Sequence, residues 1–187
     1  MFLTGRISKA PARTADEHNG KAIVAPPSGF DAPGNNQMMP AIRSGAEVLL
    51  VDDNAADLDL TREVLGRHPR HLKMTSVCDG EQAMLFLRRS GQFGDVPRPD
   101  LIVLDLGLPG MDGGSVLRQI KTDSNLKDIP VIVFSTSHAD QDVHGSYQHG
   151  ATCYLRKPCN LTDFVAVVKS MADFWMRFAA QPQRKLK

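Results

Sequence analysis

Cysteine is scarce and poorly placed for chemistry: Cys78, Cys153 and Cys159 are the only three in 187 residues, and no two form a CxxC pair. An odd count without close spacing excludes a disulfide scaffold and a zinc site and is read as reduced thiols in a cytoplasmic protein. Long apolar runs are missing as well. No stretch approaches the roughly 18 residues that a membrane span needs, and the opening MFLTGRISKAPARTADE lacks the apolar segment of a secretory signal. No membrane partner is therefore expected. Excess charge is lacking too, since the net is +1, which gives no argument for nucleic acid or an anionic surface. A P-loop, a GxGxxG after a strand and a Ser/His/Asp or Cys/His arrangement are all absent, which removes the commonest nucleotide-binding and nucleophilic-hydrolase readings.

What is present is unevenly distributed. Residues 1–44 hold five of the twelve prolines and four of the fifteen glycines, with no sustained apolar period. Such a segment cannot bury enough surface to offset its chain entropy and is expected to be a disordered arm. The stretch 45–173 carries 13 basic and 18 acidic side chains, whereas 174–187 carries four basic and none acidic. An acidic body of one domain, 45–178, is expected between the arm and a basic tail, 179–187.

From Glu47 short apolar runs alternate with helical stretches, the pattern of βα units around a parallel sheet. The runs are Val48–Val51, Leu72–Val77, Leu101–Leu104, Val131–Phe134 and Thr152–Leu155. Apolar on both faces, they predict strands covered by helices on each side. Helical spacing over 57–67 aligns Leu58, Thr61 and Leu65; over 81–89 it aligns Ala83, Met84 and Leu87; over 113–122 it aligns Val116, Leu117 and Ile120. Asp79, three residues before Gln82, is a start signal for the second helix. The segment 140–149 is the poorest helix, with Gly145 at its centre. Asn160 opens the last, on which Phe164, Val168, Met171 and Trp175 form one stripe and Val167, Phe174 and Phe178 widen it. The surplus of Phe174, Trp175 and Phe178 suggests a partner, a second copy of the chain being the expectation.

In a doubly wound α/β sheet ligands bind beyond the carboxyl ends of the strands. The first strand ends in Asp52 and Asp53, the third in Asp105, the fourth in Ser135 and Thr136, and the fifth in Lys157 and Pro158. Three carboxylates at one rim repel unless a cation holds them, and all-oxygen ligation suits Mg²⁺. A lysine beside them adds the fixed positive charge that phosphoryl chemistry requires.

The motifs LLVDDN, DGEQA, LIVLDLGLPGMDG, VIVFSTS and GATCYLRKP, in this order over about residues 46–176, resemble the receiver domain of two-component response regulators. The resemblance implies a five-stranded parallel sheet of order 2-1-3-4-5, as in flavodoxin and CheY. It implies Asp105 as phospho-acceptor and Mg²⁺ held by Asp53, Asp52, Asp105 and the backbone carbonyl of Gly107. Ser135 is then the hydroxyl that follows the phosphoryl group, Lys157 pairs with it, Tyr154 is the aromatic switch that turns inward, and the bond before Pro158 is cis. The SGQFGDVPRPD connection and the KSMADFW ending look most like the stand-alone receivers that serve bacterial phytochrome-type histidine kinases, which makes such a kinase the expected partner. Gly107 departs from the polar residue common two positions after the acceptor.

Blander readings compete at several positions. Asp57 and Asp59 read as first-turn helix charges without a functional role, Cys153 as a small buried hydrophobe, and the six histidines as surface residues without metal spacing. A Mg²⁺-dependent phosphohydrolase using Asp105 as nucleophile is the enzymatic rival, opposed by Gly107 where such enzymes carry a second Asp. A DNA-binding regulator is opposed by the twelve residues left after Trp175, and a phosphate sink without a downstream target is the third alternative.

Overall fold

The computed structural model describes residues 45–69 and 71–178, with side chains described to Trp175; the arm 1–44 and the tail 179–187 lie outside the described residues. Five strands, β1 (Glu47–Val51), β2 (Lys73–Val77), β3 (Leu101–Leu104), β4 (Val131–Ser135) and β5 (Cys153–Arg156), alternate with five helices. These are α1 (Ala55–Gly66), α2 (Gly80–Leu87), α3 (Gly113–Thr122), α4 (Asp140–Gln148) and α5 (Leu161–Phe178). A 3₁₀ turn at Gly91–Phe93 precedes β3. The strands form one sheet in the order β2-β1-β3-β4-β5, and every pairing is parallel. This is the doubly wound arrangement expected from the alternation of runs and helices.

Side-chain alternation divides each central strand between two cores. Leu49, Val51, Ile102, Leu104, Val131 and Val133 face a cluster completed by Ala83, Met84, Val116, Leu117 and Ile120. Val48, Leu50, Leu101, Val103, Ile132 and Phe134 face the other, completed by Leu58 and Leu65 of α1 and Phe164, Val168 and Met171 of α5. Because both faces of β1, β3 and β4 are covered, their chemistry can emerge only at the strand ends.

The helix starts are set by short polar side chains. Asp79 accepts from the Gln82 amide at 2.7 Å, Asp112 from Ser115 at 2.9 Å and Asn160 from Asp163 at 2.8 Å. Asn54, which the helical spacing alone did not single out, caps α1 by accepting from Ala56 and Asp57. α4 has no side-chain cap of its own, in line with its weak sequence pattern.

The wide apolar face of α5 resolves differently from the expectation. Trp175 is not surplus: it is buried in the core shared with α1, at 5% exposure. One helical turn past Met171, it continues the stripe that covers the sheet. Phe174 stands outside that stripe and is 59% exposed, while the Phe178 side chain lies outside the described residues. Among the described residues, no helix is long and apolar enough to cross a membrane.

Two glycines let the segment after β3 close onto its neighbours. A Cβ on Gly80 would fall 2.3 Å from the Met111 carbonyl oxygen, and one on Gly113 would fall 2.0 Å from the carbonyl oxygen of Asp105. The Gly113 contact is with backbone and has no rotamer to yield. Gly113→Ala is expected to cost about 3 kcal/mol and lower the melting temperature by roughly 10 °C, read by circular dichroism.

Candidate phosphoryl-acceptor site

The first strand delivers Asp52 and Asp53 to the rim, and β3 delivers Asp105 one strand away, because Val51 pairs with Leu104. β5 delivers Lys157, whose amide donates to the Ser135 carbonyl at 2.8 Å. Lys157 is buried, and its Nζ lies 2.6 Å from Asp52 Oδ2, 2.6 Å from Asp105 Oδ2 and 3.0 Å from Asp57 Oδ2. The Phe134 ring lies beneath the same ammonium, 6.0 Å from Nζ to its centroid.

The outer oxygens are also engaged. Asp105 Oδ1 accepts from the Gly107 amide at 3.1 Å, and Asp52 Oδ1 from Asn54 at 3.0 Å. Burial works to raise the Asp105 pKa, but the hydrogen bonds from Lys157 and Gly107, with a smaller contribution from the Ser135 hydroxyl, hold it below the ordinary carboxylate value. At Asp52 burial outweighs Lys157 and the Asn54 amide and pushes the carboxyl up. Burial opposes the charge on Lys157, yet its hydrogen bonds to Asp105 and Asp52 raise it well above an ordinary lysine. Asp105 is thus the better stabilised anion of the two, and the ammonium stays protonated.

Asp53 is exposed, and one oxygen each of Asp52, Asp53 and Asp105 lie within 4.8 Å of one another. Three hard oxygen donors converging at a rim fit a divalent ion of the Mg²⁺ or Mn²⁺ class.

The loop after β3 is tied on three sides: to Asp105 through Gly107, to itself through Gly113 N donating to the Leu106 carbonyl at 3.1 Å, and to α2 through Met111 N donating to Glu81 Oε1 at 3.1 Å. Ser135 is buried at 2% exposure, and its Oγ accepts from the Ser137 amide at 3.4 Å. Ser137 Oγ donates to Asp142 and accepts from the Ala139 amide at 3.3 Å, so that hydroxyl is committed to the start of α4. Tyr154 is buried at 1% exposure, with its hydroxyl donating to the Ser137 carbonyl at 3.0 Å. An open cleft of about 500 Å³ between α3 and α4 runs from Gly107 and Ser135 to His149.

Asp52, Asp53, Asp105 and Lys157 therefore meet at one rim with Ser135 buried close by, with one correction and one addition. No cis peptide occurs among the described residues, so the bond between Lys157 and Pro158 is trans. The trans isomer is intrinsically preferred, and with it the Lys157 amide still pairs with β4 while its ammonium reaches the carboxylates. Tyr154, expected as the switch that turns inward, lies inward here: its ring fills the core beside α4 and its hydroxyl donates to the Ser137 carbonyl. Asp57, read as a plain first-turn charge, joins the site. The spacing that could have revealed it is four residues after Asp53, one helical turn beyond the strand end.

The raised Asp52 carboxyl makes a pH prediction with a definite sign. Ionising a group whose folded pKa is raised costs stability above its ordinary value, and that cost vanishes as pH falls below about 3.8. Asp52→Asn in metal-free buffer should raise the melting temperature by a few degrees at pH 7, with the gain shrinking towards pH 3, as followed by calorimetry.

The comparisons agree with this geometry. Residues 48–169 match the family model of the response regulator receiver domain. The response regulator Rcp1 of Synechocystis sp. is 42% identical over 135 residues, covering 72% of this chain and 92% of the relative. The crystal structure of the phosphorylated cyanobacterial phytochrome response regulator RcpA superposes with a TM-score of 0.72 at 41% identity, over 74% of this chain and 99% of that one. The Mn²⁺-bound form of Rcp1 superposes with a TM-score of 0.71 at 42% identity, over 73% and 99% of the two chains. With five parallel strands in the order 2-1-3-4-5, an acidic trio at their carboxyl ends and this match, the chain belongs to the response regulator receiver domain family.

Proposed function

We propose that this chain relays a signal by accepting a phosphoryl group on Asp105 from a phosphohistidine of a sensor histidine kinase. The observation that carries the reading is the placement of Asp105: an ionised carboxylate at the end of a buried strand, held by Lys157 on one oxygen and by the Gly107 amide on the other. An Asp105 oxygen attacks phosphorus, the P–N bond to the histidine breaks as the P–O bond forms, and the imidazole leaves and takes up a proton. Mg²⁺ on Asp53, Asp52, Asp105 and the Gly107 carbonyl would supply neutralisation of charge on the attacking and transferred oxygens. Lys157 moves from the acceptor carboxylate to the transferred group, and Ser135, buried beside it, donates its hydroxyl. A phosphohydrolase would need a second acid two residues on, where Gly107 stands.

The readout is proposed to run through the β4–α4 loop. Ser135 drawn to a phosphoryl group pulls on Ser137, which is tied by its amide to Ser135, by its carbonyl to Tyr154 and by its hydroxyl to Asp142. α4, with no side-chain cap and Gly145 at its centre, is the element that yields. Because Tyr154 is already inward, its part is to hold this loop rather than to swing.

The finer partner reading rests on the phytochrome-linked relatives, and the compartment reading on the sequence. The chain is proposed to serve a phytochrome-type histidine kinase in the cytoplasm, as a signalling protein without turnover of its own, and to pair with a second copy through the exposed Phe174 side of α5. Sedimentation as a monomer at every concentration, phosphorylated or not, would remove the self-association reading.

Asp105→Asn is expected to fold and to take no label from a phosphorylated kinase or from acetyl phosphate; retained label places the acceptor elsewhere. The acyl phosphate should also be long-lived. Gly107 has no side chain to orient an attacking water, and the Ser137 hydroxyl is occupied at α4. Decay of labelled protein in Mg²⁺ buffer should take minutes or longer, and Gly107→Asn should speed it by roughly tenfold. Decay within seconds in the wild type, or no change in the variant, counts against this account.

A further inference from the structure

Lys157 is held by one carboxylate more than an acceptor and its metal ligands provide. Its ammonium has three N–H donors, and Asp52, Asp105 and Asp57 stand around it at 2.6, 2.6 and 3.0 Å. Asp52 and Asp105 belong to the converging trio of oxygen donors, and Asp57 does not. Asp57 is placed by other means: it stands in the first turn of α1, where its amide donates to Asn54 Oδ1 at 3.3 Å, and its side chain is 24% exposed.

The two inner partners change when the site is loaded, given the acceptor role proposed above. A divalent ion draws on the oxygens of Asp52 and Asp105 and repels the nearby ammonium, an interaction that is strong at short range in a partly buried site. Phosphorylation turns the Asp105 carboxylate into an acyl group with no charge of its own. Asp57 lies outside the trio of converging oxygens and is not the group converted to an acyl phosphate, so neither event draws directly on its carboxylate.

We infer that Asp57 is a positioning residue for Lys157, the anion that keeps the ammonium at the rim once Asp52 and Asp105 are engaged by the ion and the phosphoryl group. Without it Lys157 either competes with the ion for Asp52 and Asp105 or is displaced from the rim. Competition weakens ion binding, and the loss of a placed ammonium in either case slows transfer. A plain first-turn charge would act instead on the α1 amides, and its effect would not depend on what occupies position 157.

The test is a double-mutant cycle in the full chain. Asp57→Ala and Asp57→Asn are each made in the wild type and in Lys157→Ala, and Mn²⁺ affinity is measured by equilibrium dialysis alongside the initial rate of labelling by acetyl phosphate. With Lys157 present, Asp57→Ala should weaken Mn²⁺ binding several-fold and slow labelling by at least ~10-fold. Asp57→Asn, which keeps the shape and a hydrogen-bond acceptor without the charge, should lose in the same direction and serves if the alanine variant misfolds. In Lys157→Ala the same substitutions should change either quantity by less than about twofold, within the usual spread for uncoupled sites. Equal losses in both backgrounds, or no loss in either, overturn the positioning role. A wild type that takes no label at all overturns the acceptor reading instead, and the Mn²⁺ cycle still decides on Asp57.

Discussion

A single buried ammonium organises the rim of this protein. Lys157 follows the edge strand β5, Asp52 follows β1 with Asp57 in the first turn of α1, and Asp105 follows the central β3, so one side chain joins three segments that are distant in sequence. Removing an ion pair of this kind from water is costly unless every partner is satisfied. Here the lysine donates to Asp52 and Asp105 and is ion-paired with Asp57 at 3.0 Å, and the inner carboxylates take further amides from Asn54 and Gly107. The arrangement remains short of positive charge, since three carboxylates face one lysine and a fourth, Asp53, stands beside them. That deficit is what makes the rim receptive to a divalent ion, whose charge would offset the carboxylates that otherwise repel an anionic phosphoryl group.

The surrounding fold keeps this imbalance in place. β1, β3 and β4 are buried on both faces, so their ends cannot drift relative to one another without opening one of two cores. The loop beyond Asp105 is held close by Gly80 and Gly113, where any side chain would collide with backbone. The other side of the site is built differently. Between β4 and α4 the connections are single hydrogen bonds through Ser137, and the helix they lead to lacks a cap. Rigidity on the Asp105 side and weak attachment on the α4 side are the conditions under which a local change of charge becomes a displacement at the surface.

Much of this was legible in the chain because parallel sheets write themselves plainly. Continuous apolar runs such as LIVL and VIVF mark strands covered on both faces, and β3 has the bounds the run predicts. The polar residues that follow each run had to lie on one rim, because parallel strands end on the same side. Helix signals held where a cap and a stripe coincided, as at Asp79 and along Phe164, Val168 and Met171. They misled at Trp175, since helical periodicity gives the width of an apolar face but not which neighbour covers it. In this fold α1 lies against α5 and takes the tryptophan into its core.

The sequence by itself determined which groups reach the rim: the carboxylates of Asp52, Asp53 and Asp105, the hydroxyl of Ser135 and the ammonium of Lys157 follow from their places at strand ends. Tertiary structure decided how those groups share charge. That Asp57 turns from a helix-start residue into a partner of Lys157, that Ser137 spends its hydroxyl on Asp142, and that Tyr154 is already inward are contacts between separate elements. Distances of about 3 Å between side chains on different strands and helices depend on crossing angles and rotamers, which periodicity does not encode. Local pattern fixes where an element ends, and only packing fixes what its last side chain touches.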